Sequence, residues 1–207
     1  MKLIEAHAKL LTLKQALFQT ADAAACLNVS FAHASKMLKR LTDAGFLIHL
    51  MRSRWAFVGQ VDLLQIPEYL TAPYPCYISL QSALYYHGLI SQIPATFYAI
   101  SLARTRVYQN KLGVFSVHHA NPDFFFGFEY IEKEGIKMAT PEKALLDILY
   151  LSPTNSLLFK ALPEIEIPDD FKMREARRMI KQIKSERLRT IVTRKFNALM
   201  QIESQKR

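Results

Sequence analysis

The chain has 207 residues, half of which are hydrophobic, and it carries a formal net charge of +9 at pH 7. That length and hydrophobic content predict one large or two small globular domains and exclude an intrinsically disordered chain. Its two cysteines are too few for a disulfide framework or a zinc finger, and no apolar run approaches the roughly 20 residues of a membrane-spanning helix. The first residues lack the apolar core of a signal peptide, so we expect a cytoplasmic protein with no membrane partner.

The positive charge is concentrated at the two ends of the chain. Residues 1–60 carry a net charge of +5, residues 61–171 a net charge of −5 and residues 172–207 a net charge of +9. Clustered positive charge attracts polyanions and makes their binding salt dependent. The two ends are therefore the candidates for nucleic-acid contact, and the acidic middle is expected to face away from DNA or toward a basic partner or subunit.

Residues 1–60 have the pattern of a winged helix-turn-helix, which begins with helices predicted over residues 3–18 and 20–27. Thr20 can cap the second of these helices, because a threonine oxygen accepts hydrogen bonds from the first backbone amides of a helix. Asn28 comes next, and asparagine tolerates the left-handed conformation that a tight turn between helices needs. These residues predict the first helices and the turn of the motif.

The following helix is predicted over residues 31–44, with Ser30 as its N-terminal cap and Gly45 as its stop. Two short apolar runs follow, at residues 46–51 and 55–58, and a basic tip joins them. Two β-rich runs joined by a basic tip are typical of a wing. The whole pattern indicates DNA as the partner.

The helix predicted over residues 31–44 has two distinct faces. Its apolar face is formed at three- and four-residue spacing by Phe31, Ala34, Leu38 and Leu41. Its polar face carries His33, Ser35, Lys36, Lys39 and Arg40. A recognition helix needs this arrangement, because the apolar face holds it on its neighbour while donors on the other face reach base edges and phosphates.

Different roles are expected for these basic side chains and for those of the tip. Arg40 and Lys36 are the better candidates for guanine O6 and N7 in the major groove. Lys39 is expected to hold a phosphate, as are Arg52 and Arg54 of the tip, with insertion of a tip arginine into the minor groove as the alternative. An ordinary amphipathic helix would show the same spacing, and the turn, the glycine stop and the basic tip favour DNA binding.

Residues 61–75 contain three prolines within nine positions. Proline removes a backbone donor and restrains the preceding residue, so this stretch predicts a stiff linker between two domains. We therefore place a DNA-binding domain over residues 1–60 and a second domain over residues 76–207.

The second domain is predicted to be a mixed α/β fold, which makes the chain as a whole α+β. A helix capped by Ser79 and ended by Gly88, and a helix that begins at Thr140-Pro141-Glu142 and ends near Tyr150, flank the β-rich segments. The predicted strands cover residues 96–102, 114–118, 124–131 and 136–139. A mixed segment follows, with a short helix expected near residues 157–162.

The last segment, residues 172–207, is predicted to be helical with a break at Ser185-Glu186. Its apolar stripe consists of Met173, Ala176, Ile180, Ile183, Leu188, Val192, Phe196 and Leu199. Its polar side provides candidates for secondary nucleic-acid contacts, namely Arg174, Arg177, Arg178, Lys181 and Lys184. Contact with the DNA backbone, contact with RNA and a merely solvated helical face all stay open for this segment.

We expect no catalytic residues, no metal site and no cofactor in the second domain. Lys143 and Asp147 are four residues apart on a helix, which predicts a surface ion pair. The helix dipole accounts for Glu142 in the first turn. His118 and His119 point to opposite faces of a strand, so they cannot chelate one ion.

Four blocks of the second domain resemble a known family. They are Tyr77-Ile-Ser-Leu-Gln-Ser-Ala-Leu-Tyr-Tyr-His-Gly-Leu-Ile90, Ile93-Pro94, Thr105-Arg106 and Ala139-Thr-Pro-Glu-Lys-Ala-Leu-Leu-Asp147. Preceded by the winged pattern, they resemble the AbiEi-type antitoxins, which are transcriptional regulators of abortive-infection (type IV) toxin–antitoxin systems. The resemblance extends from the first helix to Tyr150 and does not include the basic tail.

The resemblance implies a bacterial repressor that binds inverted repeats upstream of its own operon through the winged domain. It further implies a second domain that supports cooperative repression and counteracts a nucleotidyltransferase-like toxin without a stable complex. A homodimer, or two monomers placed by the DNA, would satisfy such repeats. The alternatives are a protein-interaction module with non-specific nucleic-acid contact and, ranked last, an enzyme that acts on nucleic acid through Asp147.

Overall fold

The computed structural model describes residues 2–131, 135–152 and 164–206 and has a mixed α+β architecture. Its helices are α1 (Leu3–Leu11), α2 (Thr20–Leu27), α3 (Phe31–Asp43), α4 (Ile66–Thr71), α5 (Leu80–Tyr86), α6 (Pro141–Leu151), α7 (Met173–Lys181) and α8 (Glu186–Lys206). Its strands are β1 (Leu17–Gln19), β2 (Leu47–Met51), β3 (Arg54–Phe57), β4 (Cys76–Ile78), β5 (Thr96–Ser101), β6 (Arg106–Asn110), β7 (Gly113–His119), β8 (Phe128–Ile131) and β9 (Ile136–Ala139). In the described residues the strands form a three-stranded sheet with the order β1-β3-β2 and a six-stranded sheet with the order β6-β7-β5-β4-β9-β8. The helix expected near residues 157–162 lies outside the described residues.

The helix predicted over residues 3–18 is too long, because α1 ends at Leu11 and β1 follows. Lys14 adopts the left-handed conformation, with φ at +52°, and turns the chain out of the helix. β1 pairs antiparallel with β3, and Phe18 is 1% exposed in the core of the N-terminal unit, residues 2–60. Pairing with a strand far along the chain therefore overrides the helical spacing of the leucines.

The turn between α2 and α3 forms as the sequence predicts. Asn28 ends α2 in the left-handed conformation, with φ at +53°. The Ser30 hydroxyl accepts a hydrogen bond from the backbone amide of His33 at 3.3 Å. Gly45 follows α3 with φ at +80°, in the region that glycine enters most readily. These predictions are confirmed because each depends on one residue and its immediate neighbours.

The predicted cap of α2 is wrong. The cap is Gln19, whose backbone amide donates a hydrogen bond to the Asp22 carboxylate at 2.7 Å. Thr20 lies inside the helix, and its hydroxyl accepts a hydrogen bond from the Trp55 indole at 2.9 Å. Thr20 therefore joins α2 to β3 instead of closing the helix end.

The apolar face of α3 differs from the predicted one in its first turn. Ala34, Leu38 and Leu41 are fully buried, whereas Phe31 is 53% exposed. Met37, which the predicted stripe omits, is 3% exposed and packs in the same core. The buried stripe begins one turn into the helix, so the first turn of α3 projects beyond the core.

Residues 61–75 are folded, and the prediction of a stiff linker is wrong. They contain a 3₁₀ turn at Leu63–Gln65 followed by α4, with Pro67 in the first turn, where a missing amide breaks no hydrogen bond. Ile66 and Leu70 are 0% and 3% exposed. They belong to a hydrophobic core that we call the junction cluster, formed by Ile48, Leu50, Ala56, Ile66, Leu70 and Phe115. Through α4 the N-terminal unit shares this cluster with the second unit, which we define as the described part of residues 76–206.

The six-stranded sheet lies at the centre of the second unit. β4 is antiparallel to β5 and parallel to β9, and helices α5 to α8 pack with these strands in one hydrophobic core. The strand predicted over residues 124–131 begins only at Phe128, because a 3₁₀ turn and a left-handed Gly127 precede it. β4 and β6 are strands that the sequence patterns did not predict. Within the described ranges, no helix is long and apolar enough to cross a membrane.

Helices α7 and α8 are part of the core of the second unit. The predicted break is confirmed, because α7 ends at Lys181 and α8 begins at Glu186. The buried members of the apolar stripe are Ala176, Ile180, Ile183, Val192 and Phe196, and the half-buried ones are Met173, Leu188 and Leu199. The basic segment is therefore packed against α6 and is not an appended arm.

The two cysteines are expected to differ in reactivity. Cys76 in β4 is 1% exposed, and burial raises the pKa of its thiol to about 12. Cys26 is half-buried, and its thiol donates a hydrogen bond to the carbonyl of Lys9 at 3.2 Å. Because the thiolate is the reactive form, iodoacetamide at about pH 8 should label Cys26 and spare Cys76 in the folded protein, and should label both in denaturing urea. Peptide mass spectrometry measures this, and equal labelling without urea would contradict the buried position of Cys76.

Candidate nucleic-acid interface

A groove of about 550 Å³ lies between α3 and the β2–β3 hairpin, and we call it the α3–hairpin groove. Lys36 and Lys39 line it from α3 and Arg52 lines it from the hairpin, and all three side chains are exposed. Ser35 lines it as well and is half-buried, and Asp43 is the one carboxylate among its described lining residues. Cations on both sides of one groove attract a polyanion into it.

The other two candidates on α3, His33 and Arg40, are exposed and lie outside the lining of this groove. Within residues 2–131, 135–152 and 164–206, no ion pair engages Lys36, Lys39, Arg40 or Arg52. Their charges are therefore not neutralised by a carboxylate of the described chain. The structure thus brings together most of the side chains that the sequence indicates.

The tip of the hairpin is held in place by its backbone. Ser53 adopts φ of +60°, and its carbonyl accepts a hydrogen bond from the backbone amide of Thr20 at 3.0 Å. His49, which the sequence analysis did not single out, also lines the groove, and its ring lies 4.5 Å from that of its cross-strand partner Trp55. A polar residue in the otherwise apolar run at residues 46–51 is the signal that could have revealed it.

Arg54 does not lie where the sequence analysis expects it. Its guanidinium donates hydrogen bonds to the carbonyls of Tyr69 and Ala72, the second at 2.8 Å, and lies 5.3 Å from the centre of the Tyr69 ring. These carbonyls are at the C-terminal end of α4, where a cation is favoured by the helix dipole. Arg54 therefore links the hairpin to α4, and we remove it from the set of expected phosphate contacts.

A second group of cations lies beside the hairpin. Strand β6 is at the edge of the six-stranded sheet and contacts β2. Arg104, Arg106 and Lys111 are exposed on or next to β6, and the Arg106 guanidinium lies 5.0 Å from the centre of the Tyr108 ring. Residues 106–110 lack the apolar alternation that is typical of strands, so the sequence did not reveal this edge.

The five candidate basic side chains of the C-terminal segment, Arg174, Arg177, Arg178, Lys181 and Lys184, are exposed, but two of them have carboxylate partners. Arg178 pairs with Glu175 at 2.5 Å, and Lys184 pairs with Asp123 at 2.7 Å. The three exposed cations of α7 without a salt bridge in the described residues are Arg174, Arg177 and Lys181. These three cations lie along one helix, whereas those of the α3–hairpin groove lie on two elements that face each other across a groove.

Lys143 and Asp147 form a buried ion pair, and the prediction of a surface pair is wrong. Their side chains are 0% and 1% exposed, and the Lys143 ammonium donates a hydrogen bond to Asp147. Asp147 also accepts hydrogen bonds from the hydroxyls of Tyr77 at 3.0 Å and Ser79 at 2.6 Å. Ser79 is expected to cap α5 with its side chain, but its hydroxyl donates a hydrogen bond to this carboxylate and makes no cap hydrogen bond. Helical spacing of four is the same on a buried and on an exposed face, which is why the sequence did not distinguish them.

Burial sets the protonation chemistry of this ionic cluster. It lowers the pKa of Lys143 and raises that of Asp147, and it raises the pKa of Tyr77 well above its ordinary value. The Lys143 ammonium lies 3.6 Å from the centre of the Phe124 ring, and a Cβ at Gly127 would lie 3.1 Å from the Lys143 stem. The cluster is closed to solvent, and its contacts hold α6, β4 and the 3₁₀ turn at Pro122–Phe124 together.

Glu142 also has a structural partner that its position in the first turn did not reveal. It is 4% exposed and accepts a hydrogen bond from the backbone amide of Lys172 at 2.7 Å. This bond attaches the start of α7 to α6. The helix dipole alone therefore does not account for Glu142.

The adjacent histidines of β7 have separate partners. His118 lies 3.0 Å from the Ser116 hydroxyl through Nε2, and burial lowers its pKa. The Nδ1 atom of His119 lies 3.1 Å from the carbonyl of Ala103. Among the described residues, no three His, Cys, Asp or Glu side chains are grouped so that they could hold a metal ion.

No family model matches the chain, and no curated protein is significantly similar to it.

Proposed function

We propose that the N-terminal unit is a winged helix-turn-helix and that the protein is a sequence-specific DNA-binding repressor. The observation that carries the proposal is the α3–hairpin groove, which has exposed cations on both of its sides that form no salt bridge within the described residues. A recognition helix and a wing would contact DNA through these two elements. The left-handed turn at Asn28, the cap at Ser30 and the sheet order β1-β3-β2 support the same assignment.

Each side chain of the interface has a proposed role. Arg40 and Lys36 contact guanine edges from α3, with His33 and Ser35 beside them on the same helix. Lys39 and Arg52 hold phosphates on the two sides of the groove. Arg54 positions the hairpin through α4 and does not contact DNA.

We further propose that the protein is the antitoxin of a toxin–antitoxin operon and represses its own promoter through inverted repeats. This part rests on the resemblance of the second unit to AbiEi-type antitoxins. Its functional partner would be a nucleotidyltransferase-like toxin, and it would act without a stable complex. A homodimer on DNA is consistent with the proposal.

Fluorescence anisotropy tests the DNA-binding proposal. The full-length protein is titrated onto a duplex from upstream of its own gene and onto a scrambled duplex, at about 50 and about 200 mM salt. We expect binding to the upstream duplex that is on the order of 10³-fold tighter and persists at the higher salt. Equal binding to both duplexes that disappears at the higher salt would refute a specific repressor and favour an interaction module.

A further inference from the structure

A cavity of about 370 Å³ lies where the 3₁₀ turn at Leu63–Gln65 meets the end of α5 and the start of β5. Its walls are mostly apolar and aromatic, and they include Leu63, Tyr85, Tyr86, Pro94, Phe97 and Met138. A volume of this size and such a lining are typical of sites for small molecules. None of these side chains belongs to the proposed DNA interface.

Three large side chains that line the cavity are exposed to solvent. Tyr85, Tyr86 and Ile93 are 40%, 53% and 71% exposed, and all three line it. Single exposed hydrophobic residues are common, whereas several around one concave site indicate a ligand. The aromatic rings of the two tyrosines can bind a cation through their faces.

The charge around the cavity is negative, in contrast to the net charge of the whole chain. Asp62 lines it, and one of its carboxylate oxygens accepts a hydrogen bond from the backbone amide of Leu64 at 2.7 Å. An adjoining cavity of about 730 Å³ shares Asp62, Leu64, Tyr86 and Met138 with it and adds Glu129. The described residues lining the two cavities include both carboxylates and no lysine or arginine.

We propose that this junction pocket, defined by the lining of the 370 Å³ cavity, binds a small aromatic or aliphatic cation. The apolar part of the ligand contacts Leu63, Phe97 and Met138. Its positively charged nitrogen lies against the tyrosine faces and is neutralised by Asp62. An anionic ligand of the same shape is disfavoured by Asp62 in the pocket and by Glu129 in the adjoining cavity.

Packing connects the junction pocket to the β2–β3 hairpin. Leu63 and Phe97 pack against the junction cluster, which includes Ile48, Leu50 and Ala56 of the hairpin strands. The Phe97 ring stacks on that of Phe115 at 5.2 Å, with an angle of 20° between the rings. A ligand in the pocket therefore repacks the junction cluster, against which the hairpin strands lie. This changes the affinity for DNA, a consequence that rests on the proposed function.

Calorimetry on the DNA-free, full-length protein tests the pocket directly. The probes are benzyltrimethylammonium, the neutral benzyl alcohol and the anionic benzoate. We expect the cation to bind at least about fivefold more tightly than either comparator, which corresponds to the ~1 kcal/mol that a cation–π contact provides at an exposed site. Absence of binding, or no preference for the cation, would overturn the proposal.

Two variants and two matched controls locate the probe. Asp62→Asn keeps an oxygen for the amide of Leu64 and removes the charge, and Tyr86→Ala removes one aromatic face. Tyr74→Ala is the control for Tyr86→Ala, because Tyr74 is 54% exposed and lines neither cavity. Asp170→Asn is the control for Asp62→Asn, because Asp170 is exposed and also lines neither cavity. Affinity for the cation should fall at least about fivefold in the two pocket variants only. Equal losses in the controls would contradict the site.

Anisotropy with saturating benzyltrimethylammonium tests the connection to DNA. We expect the probe to change the affinity of the wild-type protein for the upstream duplex, and to leave that of Tyr86→Ala unchanged. An unchanged wild-type affinity would overturn the regulatory part of the inference. If the protein binds no DNA at all, the proposed function fails, whereas calorimetry still decides whether the pocket binds the cation.

Discussion

Replacing Lys143 by methionine is expected to lower the free energy of unfolding by about 3–5 kcal/mol, because it leaves a buried carboxylate without its cation. Asp147 is 1% exposed, and within the described residues it would keep the hydroxyl donors of Tyr77 and Ser79 alone. Methionine is similar in length to lysine, so the loss of unfolding free energy reflects the missing charge more than a change in packing. Urea denaturation followed by circular dichroism measures the change.

Two further variants separate the buried charge from other effects of the substitution. Lys184→Met removes a lysine that pairs with Asp123 and is 75% exposed, and it should change stability by only about 0–1 kcal/mol. Adding Asp147→Asn to Lys143→Met should recover more than half of the loss, because the amide is neutral and still accepts hydrogen bonds. A double variant as unstable as the single one would show that shape, and not charge, accounts for the effect.

Replacing Arg40 or Lys36 by alanine is expected to weaken binding to the upstream duplex by about 1–3 kcal/mol each and to relax the choice of base at one position. Lys39→Ala and Arg52→Ala should weaken binding to all duplexes about equally and reduce the slope of log affinity against log salt by about 1 each. Anisotropy titrations on the upstream duplex and on single-base variants measure both effects.

Lys9→Ala is the matched control for these variants, and Arg54→Ala tests the structural role of Arg54. Lys9 is an exposed cation of the N-terminal unit outside the α3–hairpin groove, and its loss changes the net charge by the same amount. Arg54→Ala should lower the urea midpoint, because the carbonyls of Tyr69 and Ala72 lose their donor. Losses of affinity in Lys9→Ala as large as those in the four groove and helix variants would contradict the proposed interface.

Local signals account for what the sequence predicted correctly. The turn at Asn28, the caps at Ser30 and Thr140 and the stop at Gly45 each depend on a side chain and the few amides or dihedral angles next to it. The break before Glu186 likewise depends on residues that are next to it in the chain. For this reason α3 and α6, and with α3 most of the candidate interface, could be placed from the sequence alone.

Long-range pairing accounts for what the sequence did not reveal. β1 and β6 become strands only because β3 and β7 lie beside them, and neither carries an apolar alternation of its own. The two carbonyls that Arg54 contacts lie 15 and 18 residues along the chain, beyond any local pattern. In the buried ionic cluster, Asp147 contacts Ser79 and Tyr77, which lie 68 and 70 positions earlier in the chain. Only the folded sheet brings these residues close together.

The junction cluster has a consequence for exchanging parts of this protein with others. A chimera joined after residue 60 would leave Ile48, Leu50 and Ala56, which are at most 8% exposed, facing water on the back of the hairpin. Such a fragment would be prone to self-association, and the angle of its hairpin would no longer be defined. A fragment intended for transfer to another protein must therefore extend through α4 to Ala72. The recipient protein must also provide an apolar side chain that packs in the place of Phe115.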